Sequence, residues 1–162
     1  IDEAQQTFKD LGFEIEVLDI ASCDRETAQA KIFQSKILYI SGGNTFYLLQ
    51  ELKKKQLLSL IKEQIRDGLI YVGESAGAII TAKDIDYNKL MDDKTVAKEL
   101  SDTTGLNEVE FYILPHYGEE PFTDSSKKTF ETYKKQLDLM RMNNLQAVIV
   151  NDKEIKVVSE QD

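Results

Sequence analysis

An apolar run, Leu69-Ile70-Tyr71-Val72, stops at Gly73-Glu74-Ser75-Ala76-Gly77 and continues as Ala78-Ile79-Ile80. That order predicts a strand, a sharp turn and a helix, so the chain belongs among folds in which a strand feeds a helix directly. A serine on such a turn is pushed out of the sheet with its hydroxyl exposed. Glycines two residues to either side are needed because side chains there would collide with the crossing strand and helix. Ser75 is the candidate nucleophile. The same five-residue pattern also occurs in ordinary strand-to-helix turns, so the context has to supply its partners.

The chain before the turn alternates helix and strand. Residues 1–11 carry Ile1, Ala4, Phe8 and Leu11 at helical spacing, and Gly12 closes the predicted helix. Phe13 to Ile20 alternates Phe13, Ile15 and Val17 against Glu14, Glu16 and Leu18, predicting a strand exposed on one face near a sheet edge. A helix is predicted over Arg25 to Gln34. Ile37-Leu38-Tyr39-Ile40 then reads as a buried parallel strand ending in Ser41-Gly42-Gly43-Asn44-Thr45, before Phe46, Leu49 and Leu52 open another helix. A further helix spans Leu57 to Arg66 and ends at Asp67-Gly68. This alternation predicts an α/β fold, a mostly parallel sheet flanked by helices.

Beyond the turn, Thr81 to Glu108 dissolves into polar residues with Asp84, Asp86, Asp92, Asp93 and Asp102, and reads as a long irregular excursion with at most a short helix. Exposed Tyr and Phe around it suggest a homodimer surface. Phe111-Tyr112-Ile113-Leu114 is a strand stopped by Pro115, with His116 just past its end. From Thr123 to Met142 the positions Phe130, Tyr133, Leu137 and Met140 make one helical face, with Asp124 or Ser125 as cap. Met140 and Met142 read as core filler. Two strands follow, Ala147 to Val150 and Ile155 to Val158, joined by the polar turn Asn151-Asp152-Lys153-Glu154.

In a parallel α/β sheet, ligands gather beyond the carboxyl ends of the strands, and three junctions fall there: Gly42-Gly43, Ser75 and His116. Serine needs a base to take its proton, and an imidazole suits both that task and returning the proton to the leaving amine. The chain has one histidine, so His116 is the candidate base. A carboxylate is then required to hold the imidazole tautomer, and the oxyanion needs backbone N–H donors, Ala76 first and Gly42 or Gly43 second. The other reading of Gly42-Gly43 is an ordinary tight turn capped by Asn44 or Thr45.

Composition removes whole classes of function. A net charge of −9 argues against nucleic acid, since Lys53-Lys54-Lys55 and Lys127-Lys128 are flanked by acids. Gly42-Gly43-Asn44-Thr45 lacks the Lys-Ser/Thr pair of a phosphate loop. One histidine and one cysteine leave only carboxylates as metal ligands, and the acids of 84–93 lack Ca²⁺-loop spacing, so no metal or cofactor is expected. Cys23 alone forms no internal disulfide, and no signal-peptide or membrane-span pattern is present. At 162 residues and 41% hydrophobic, a single cytoplasmic domain is the expectation.

Gly42-Gly43-Asn44-Thr45-Phe46, Gly73-Glu74-Ser75-Ala76-Gly77-Ala78 and Leu114-Pro115-His116-Tyr117 together resemble the peptidase E group of serine peptidases, the aspartyl dipeptidase family related to cyanophycinase. The resemblance spans roughly residues 37–158. It implies a class I glutamine amidotransferase-like fold with a nucleophile elbow at Ser75, His116 as base, and hydrolysis of dipeptides bearing amino-terminal Asp without metal or cofactor. It also points to Asp152 as the acid, with Asn151, Asp86 and Asp92 as competitors, and to Asn44, Thr45, Glu74 and Tyr117 as substrate-binding candidates. Family members open with a further strand and helix, so a fragment is expected. Family members also carry an arginine after the catalytic histidine, where this chain has Gly118-Glu119-Glu120-Pro121-Phe122; Lys127 or Lys128 is the substitute cation. The rival readings are an α/β-hydrolase-fold esterase and a noncatalytic small-ligand binder.

Overall fold

Local signals set most element boundaries. A computed structural model describes residues 2–160, so Ile1 of the first predicted helix lies outside the described residues. Helix α1 (Asp2–Asp10) ends at Gly12, whose φ of 86° only glycine adopts freely. Helix α2 (Arg25–Gln34) is capped by Asp24, which accepts from Thr27 N–H at 2.7 Å. Strand β1 (Ile37–Ile40) runs parallel to β2 (Ile70–Gly73), pairing Ile37 with Ile70 and Ile40 with Gly73. Between them lie α3 (Thr45–Lys54), capped by Asn44, and α4 (Leu58–Arg66). A short α5 (Ala76–Ile79) follows β2.

Strand β3 (Tyr112–Leu114) pairs in parallel with β4 (Leu139–Arg141), and β5 (Gln146–Asn151) forms an antiparallel hairpin with β6 (Glu154–Ser159). The ladders are three two-stranded sheets, an α/β arrangement with parallel strands between helices. Leu38 and Ile40 of β1 and Tyr71 of β2 pack on a core made by Phe46, Leu49, Leu52, Leu57, Ile61, Ile79, Ile80, Ile85 and Leu106. Tyr39 stands against Phe8 of α1, ring centroids 5.2 Å apart. No helix among the described residues is long and apolar enough to cross a membrane.

Four expectations change. Residues 13–20 form no strand: alternation makes one face buriable, but a strand needs a ladder partner, and none pairs with this segment among the described residues. The predicted helix 123–142 stops early, as α6 (Thr123–Tyr133), because Leu139 to Arg141 instead satisfy their backbone groups against β3. Its N-cap position is Phe122, with no side-chain cap bond, and neither Asp124 nor Ser125 takes that place. The excursion over 81–108 is irregular as expected, and it is packed into the protein. Two 3₁₀ turns (Asp86–Leu90 and Lys94–Val96) lie within it, Leu106 N–H bonds Ile80 C=O at 2.7 Å and Glu108 N–H bonds Thr81 C=O at 2.9 Å. Tyr87 and, just beyond, Phe111 are buried, which withdraws them from any dimer surface.

Candidate active site

The carboxyl ends of four strands meet at this site. Ser75 follows β2 at φ 49°, ψ −108°, a conformation that L-residues hold only under constraint from their surroundings. The crowding around it explains the flanking glycines. A Cβ on Gly73 would lie 2.5 Å from Gly77 O, and one on Gly77 would lie 2.1 Å from Ile40 O of β1. Glu74 N–H donates to Ile40 C=O at 2.9 Å, tying the turn to the end of β1.

His116 leaves β3 through buried Pro115 and also has positive φ, 54°. Its Nε2 lies 2.9 Å from Ser75 Oγ. Its Nδ1 lies 2.7 Å from Asn144 Oδ1. With that amide oxygen as acceptor, Nδ1 carries the proton and Nε2 presents a lone pair to the serine hydroxyl. Phe122 stacks on the imidazole, centroids 5.2 Å apart and rings 22° from parallel, so the ring is held on its face as well as at both nitrogens.

Asn144 comes from the turn after β4. That turn is fixed by Met142 N–H to Leu114 C=O (3.0 Å), Tyr117 N–H to Met142 C=O (2.9 Å) and Asn143 N–H to Gln146 Oε1 (3.0 Å). The β3–β4 pairing thereby brings the residues past both strand ends together.

Asp152, expected to hold the imidazole, instead occupies the exposed tip of the β5–β6 hairpin at φ 53°, and its carboxylate makes no hydrogen bond to His116. Asn151 is engaged in the hairpin ladder opposite Glu154. The other competitors are committed elsewhere. Asp86 is paired with Lys89 at 2.6 Å and Lys94 at 2.8 Å, and these hydrogen bonds hold its carboxyl below the usual range. Asp92 bonds Thr45. Sequence reasoning missed Asn144 because residues 139–141 read as part of a helix, so no strand end appeared just before it.

Gly42 lies against the serine: a Cβ there would be 3.3 Å from Ser75 Cβ. The N–H groups of Gly42, Gly43 and Ala76 donate to no other group among the described residues. Asn44 caps α3 through Tyr47 N–H at 3.0 Å, and Thr45 is fully buried. Glu74 is exposed and accepts a hydrogen bond from Tyr39. Burial and that carboxylate raise the Tyr39 hydroxyl well above its usual pKa, so it remains a donor. Tyr117 packs edge-on against Phe130 of α6, centroids 5.8 Å apart. The Arg141 guanidinium lies 5.1 Å over the Tyr117 ring and 4.4 Å over the Phe130 ring. It makes no ion pair among the described residues. Lys127 and Lys128 project from the exposed face of α6.

Residues 1–158 match the model of peptidase family S51. An uncharacterized peptidase of Pasteurella multocida (strain Pm70) is 41% identical over 158 residues, 98% of this chain and 76% of that protein. A peptidase E of Nostoc sp. is 30% identical over 116 residues, 72% of this chain and 45% of its own length. Among solved structures, a protein assigned to peptidase E from Listeria monocytogenes EGD-e superposes with a TM-score of 0.89 at 35% identity, covering 96% of this chain and 75% of that one. A peptidase from an acI-B1 actinobacterium shares the fold at 22% identity and TM-score 0.70, over 96% of this chain and 64% of that one.

Proposed function

The chain belongs to peptidase family S51 and is a peptidase E-like hydrolase; from that premise we propose that it cleaves peptide bonds in short peptides with Ser75 as nucleophile and His116 as base and acid. The observation that carries this is the 2.9 Å contact of Ser75 Oγ with an imidazole nitrogen whose partner nitrogen is already engaged. Nε2 takes the hydroxyl proton as Oγ bonds to the substrate carbonyl carbon. The negative charge on the carbonyl oxygen is met by the N–H groups of Ala76 and of Gly42 or Gly43. The imidazolium then gives its proton to the departing amine, leaving an acyl-serine. Water, deprotonated by the same nitrogen, attacks the acyl carbon and restores the serine.

Asn144 takes the place in which the sequence suggests an acid. An amide oxygen fixes the imidazole's tautomer and plane but adds no negative charge to stabilise the cation, so Asn144 is a positioning residue. Replacing it with Ala is expected to lower kcat by about 10- to 100-fold with KM nearly unchanged. Asn144→Asp, which keeps the acceptor and adds charge, is expected to match or exceed the wild-type rate. Steady-state kinetics of the two variants check this, and an unaffected Asn144→Ala would remove Asn144 from the machinery.

We assign dipeptides with amino-terminal Asp as the substrates, and Arg141 supports this finer reading. An arginine stacked on two aromatic rings is held in a fixed plane, and its guanidinium grips a carboxylate through two parallel hydrogen bonds, which a lysine cannot do. Glu74, beside the nucleophile, is the acid we assign to the substrate's α-ammonium. The test is a panel of Asp-Leu, Asn-Leu, Ala-Leu and Lys-Leu with wild-type protein and Arg141→Gln. Asp-Leu is expected to be the best substrate, and Arg141→Gln to lower its kcat/KM by about 10- to 100-fold while leaving Ala-Leu within about threefold. Cleavage of the neutral dipeptides but not Asp-Leu would discard the Asp preference and keep the chemistry. Silence across the panel would favour the noncatalytic binder or another hydrolase.

A further inference from the structure

Gly42 and Gly43 lead directly into α3, so whatever fixes the first residues of that helix also fixes where these two N–H groups point. The 81–108 segment supplies the anchor. Asp92 Oδ2 accepts from Thr45 N–H at 2.8 Å, from Thr45 Oγ1 at 2.6 Å and from Asn88 Nδ2 at 3.0 Å. The Asn88 amide also donates to Thr45 Oγ1 at 3.1 Å. One residue nearer the glycines, Asn44 Nδ2 donates to Asp93 C=O at 2.9 Å.

This network exceeds what the helix needs for its end. Asn44 Oδ1 already caps α3 through Tyr47 N–H. Thr45 is fully buried and Asn88 is 1% exposed, so neither exchanges these bonds for water. Asn88 commits its amide nitrogen to Thr45 and Asp92 while its own Oδ1, buried, has no hydrogen-bond partner. An unpaired buried acceptor is unfavourable, and an amide in this place keeps it only as the counterpart of the two bonds its nitrogen makes. The thread then runs from Asp92 through Thr45 and Asn44 to Gly43 and Gly42, and Gly42 lies against Ser75.

We propose that Asp92 is a positioning residue for the reaction: its carboxylate, clamped on Thr45 and Asn88, holds the Gly42–Gly43 N–H groups in the orientation that receives the oxyanion. This rests on the reading of Ser75 as nucleophile given above. A donor swung off by a fraction of an ångström loses transition-state binding while substrate affinity survives, so the signature is in kcat. The segment that reads as an irregular polar excursion thus braces the start of α3.

The test combines steady-state kinetics on the best dipeptide of the panel, the rate of Ser75 labelling by a fluorophosphonate probe, and thermal melting, for the wild type, Asp92→Ala, Asp92→Asn and Thr45→Val. Asp92→Ala is expected to lower kcat and the labelling rate together by about 10- to 100-fold, with KM within about threefold. Asp92→Asn, which retains an acceptor of the same shape, is expected to recover most of that loss. Should Asp92→Ala fail to fold, Asp92→Asn and Thr45→Val carry the test, the latter removing the hydroxyl bonds while keeping the volume. A lowered melting temperature with unchanged kcat and labelling at a temperature where all variants are folded would overturn the positioning role. Failure of the wild-type protein to be labelled, or activity retained by Ser75→Ala, would instead overturn the underlying nucleophile assignment.

Discussion

Ser75→Ala is expected to lose at least about 10³ in kcat while keeping the wild-type fold, and His116→Ala to lose as much, with the double variant hardly worse than either. The non-additivity follows from the geometry. Oγ and Nε2, 2.9 Å apart, act as one unit, so removing either leaves the other without a task. The Ser75→Ala fold should survive because alanine retains the Cβ that lies against Gly42 and loses a single half-buried hydrogen bond, worth about 1 kcal/mol, whereas His116→Ala also gives up the Asn144 bond and the Phe122 stack and should melt lower. Ser75→Gly sharpens the point. At φ 49°, ψ −108° glycine relieves a backbone conformation that costs any other residue roughly 1–3 kcal/mol, so this variant should be as inactive as alanine yet melt higher. Turnover and melting curves for the four variants check the set. Full activity in Ser75→Ala would end the serine mechanism, and a Ser75→Gly less stable than Ser75→Ala would mean that the turn stores no strain.

Where the chain's own neighbours decide structure, the sequence is readable. Asp24 and Asn44 cap their helices through bonds three residues away, and the apolar run 37–40 gives β1 its observed bounds. The unreadable parts depend on distant partners. Phe13, Ile15 and Val17 alternate as a strand does, but alternation carries no information about whether a ladder partner is present. Phe130, Tyr133, Leu137 and Met140 continue a helical period past the true end of α6, because the pairing of Leu139 with Tyr112 outweighs a local pattern that either structure satisfies.

That single misreading also hides the third residue of the site. Once Leu139 to Arg141 are a strand beside β3, the residues just past it, Asn143 and Asn144, must fall beside the residue just past β3, which is His116. The rule that placed Ser75 and His116 at strand ends would have found Asn144 had the strand been visible, since an amide, Asn151, already stood among the competitors for this place. Asp152 satisfies the same rule at the end of β5, but β5 belongs to a separate hairpin, so its end leads elsewhere.

Gly77→Ala is expected to be the most destabilising single methyl addition near the site, by about 3 kcal/mol or more, enough to lower the melting temperature by roughly 6–12 °C or to prevent folding. The added carbon would sit 2.1 Å from Ile40 O and 2.9 Å from Ile40 C, both backbone atoms of β1. No rotamer change relieves such a contact, so either α5 or the end of β1 must move. Both alternatives damage the chemistry. Ile40 O accepts the Glu74 N–H bond that anchors the serine turn, and Ile40 lies two residues before Gly42. Any protein that does fold should therefore have lost kcat as well as stability. Gly118→Ala is the control, since that glycine has φ 78° with nothing within 4 Å of a Cβ, and should cost only the roughly 1 kcal/mol of an unfavourable backbone conformation. Melting curves of the two variants separate crowding from conformational freedom. A Gly77→Ala protein melting within about 2 °C of wild type would show that α5 does not press on β1, and the close approach that pushes Ser75 toward His116 would need another cause.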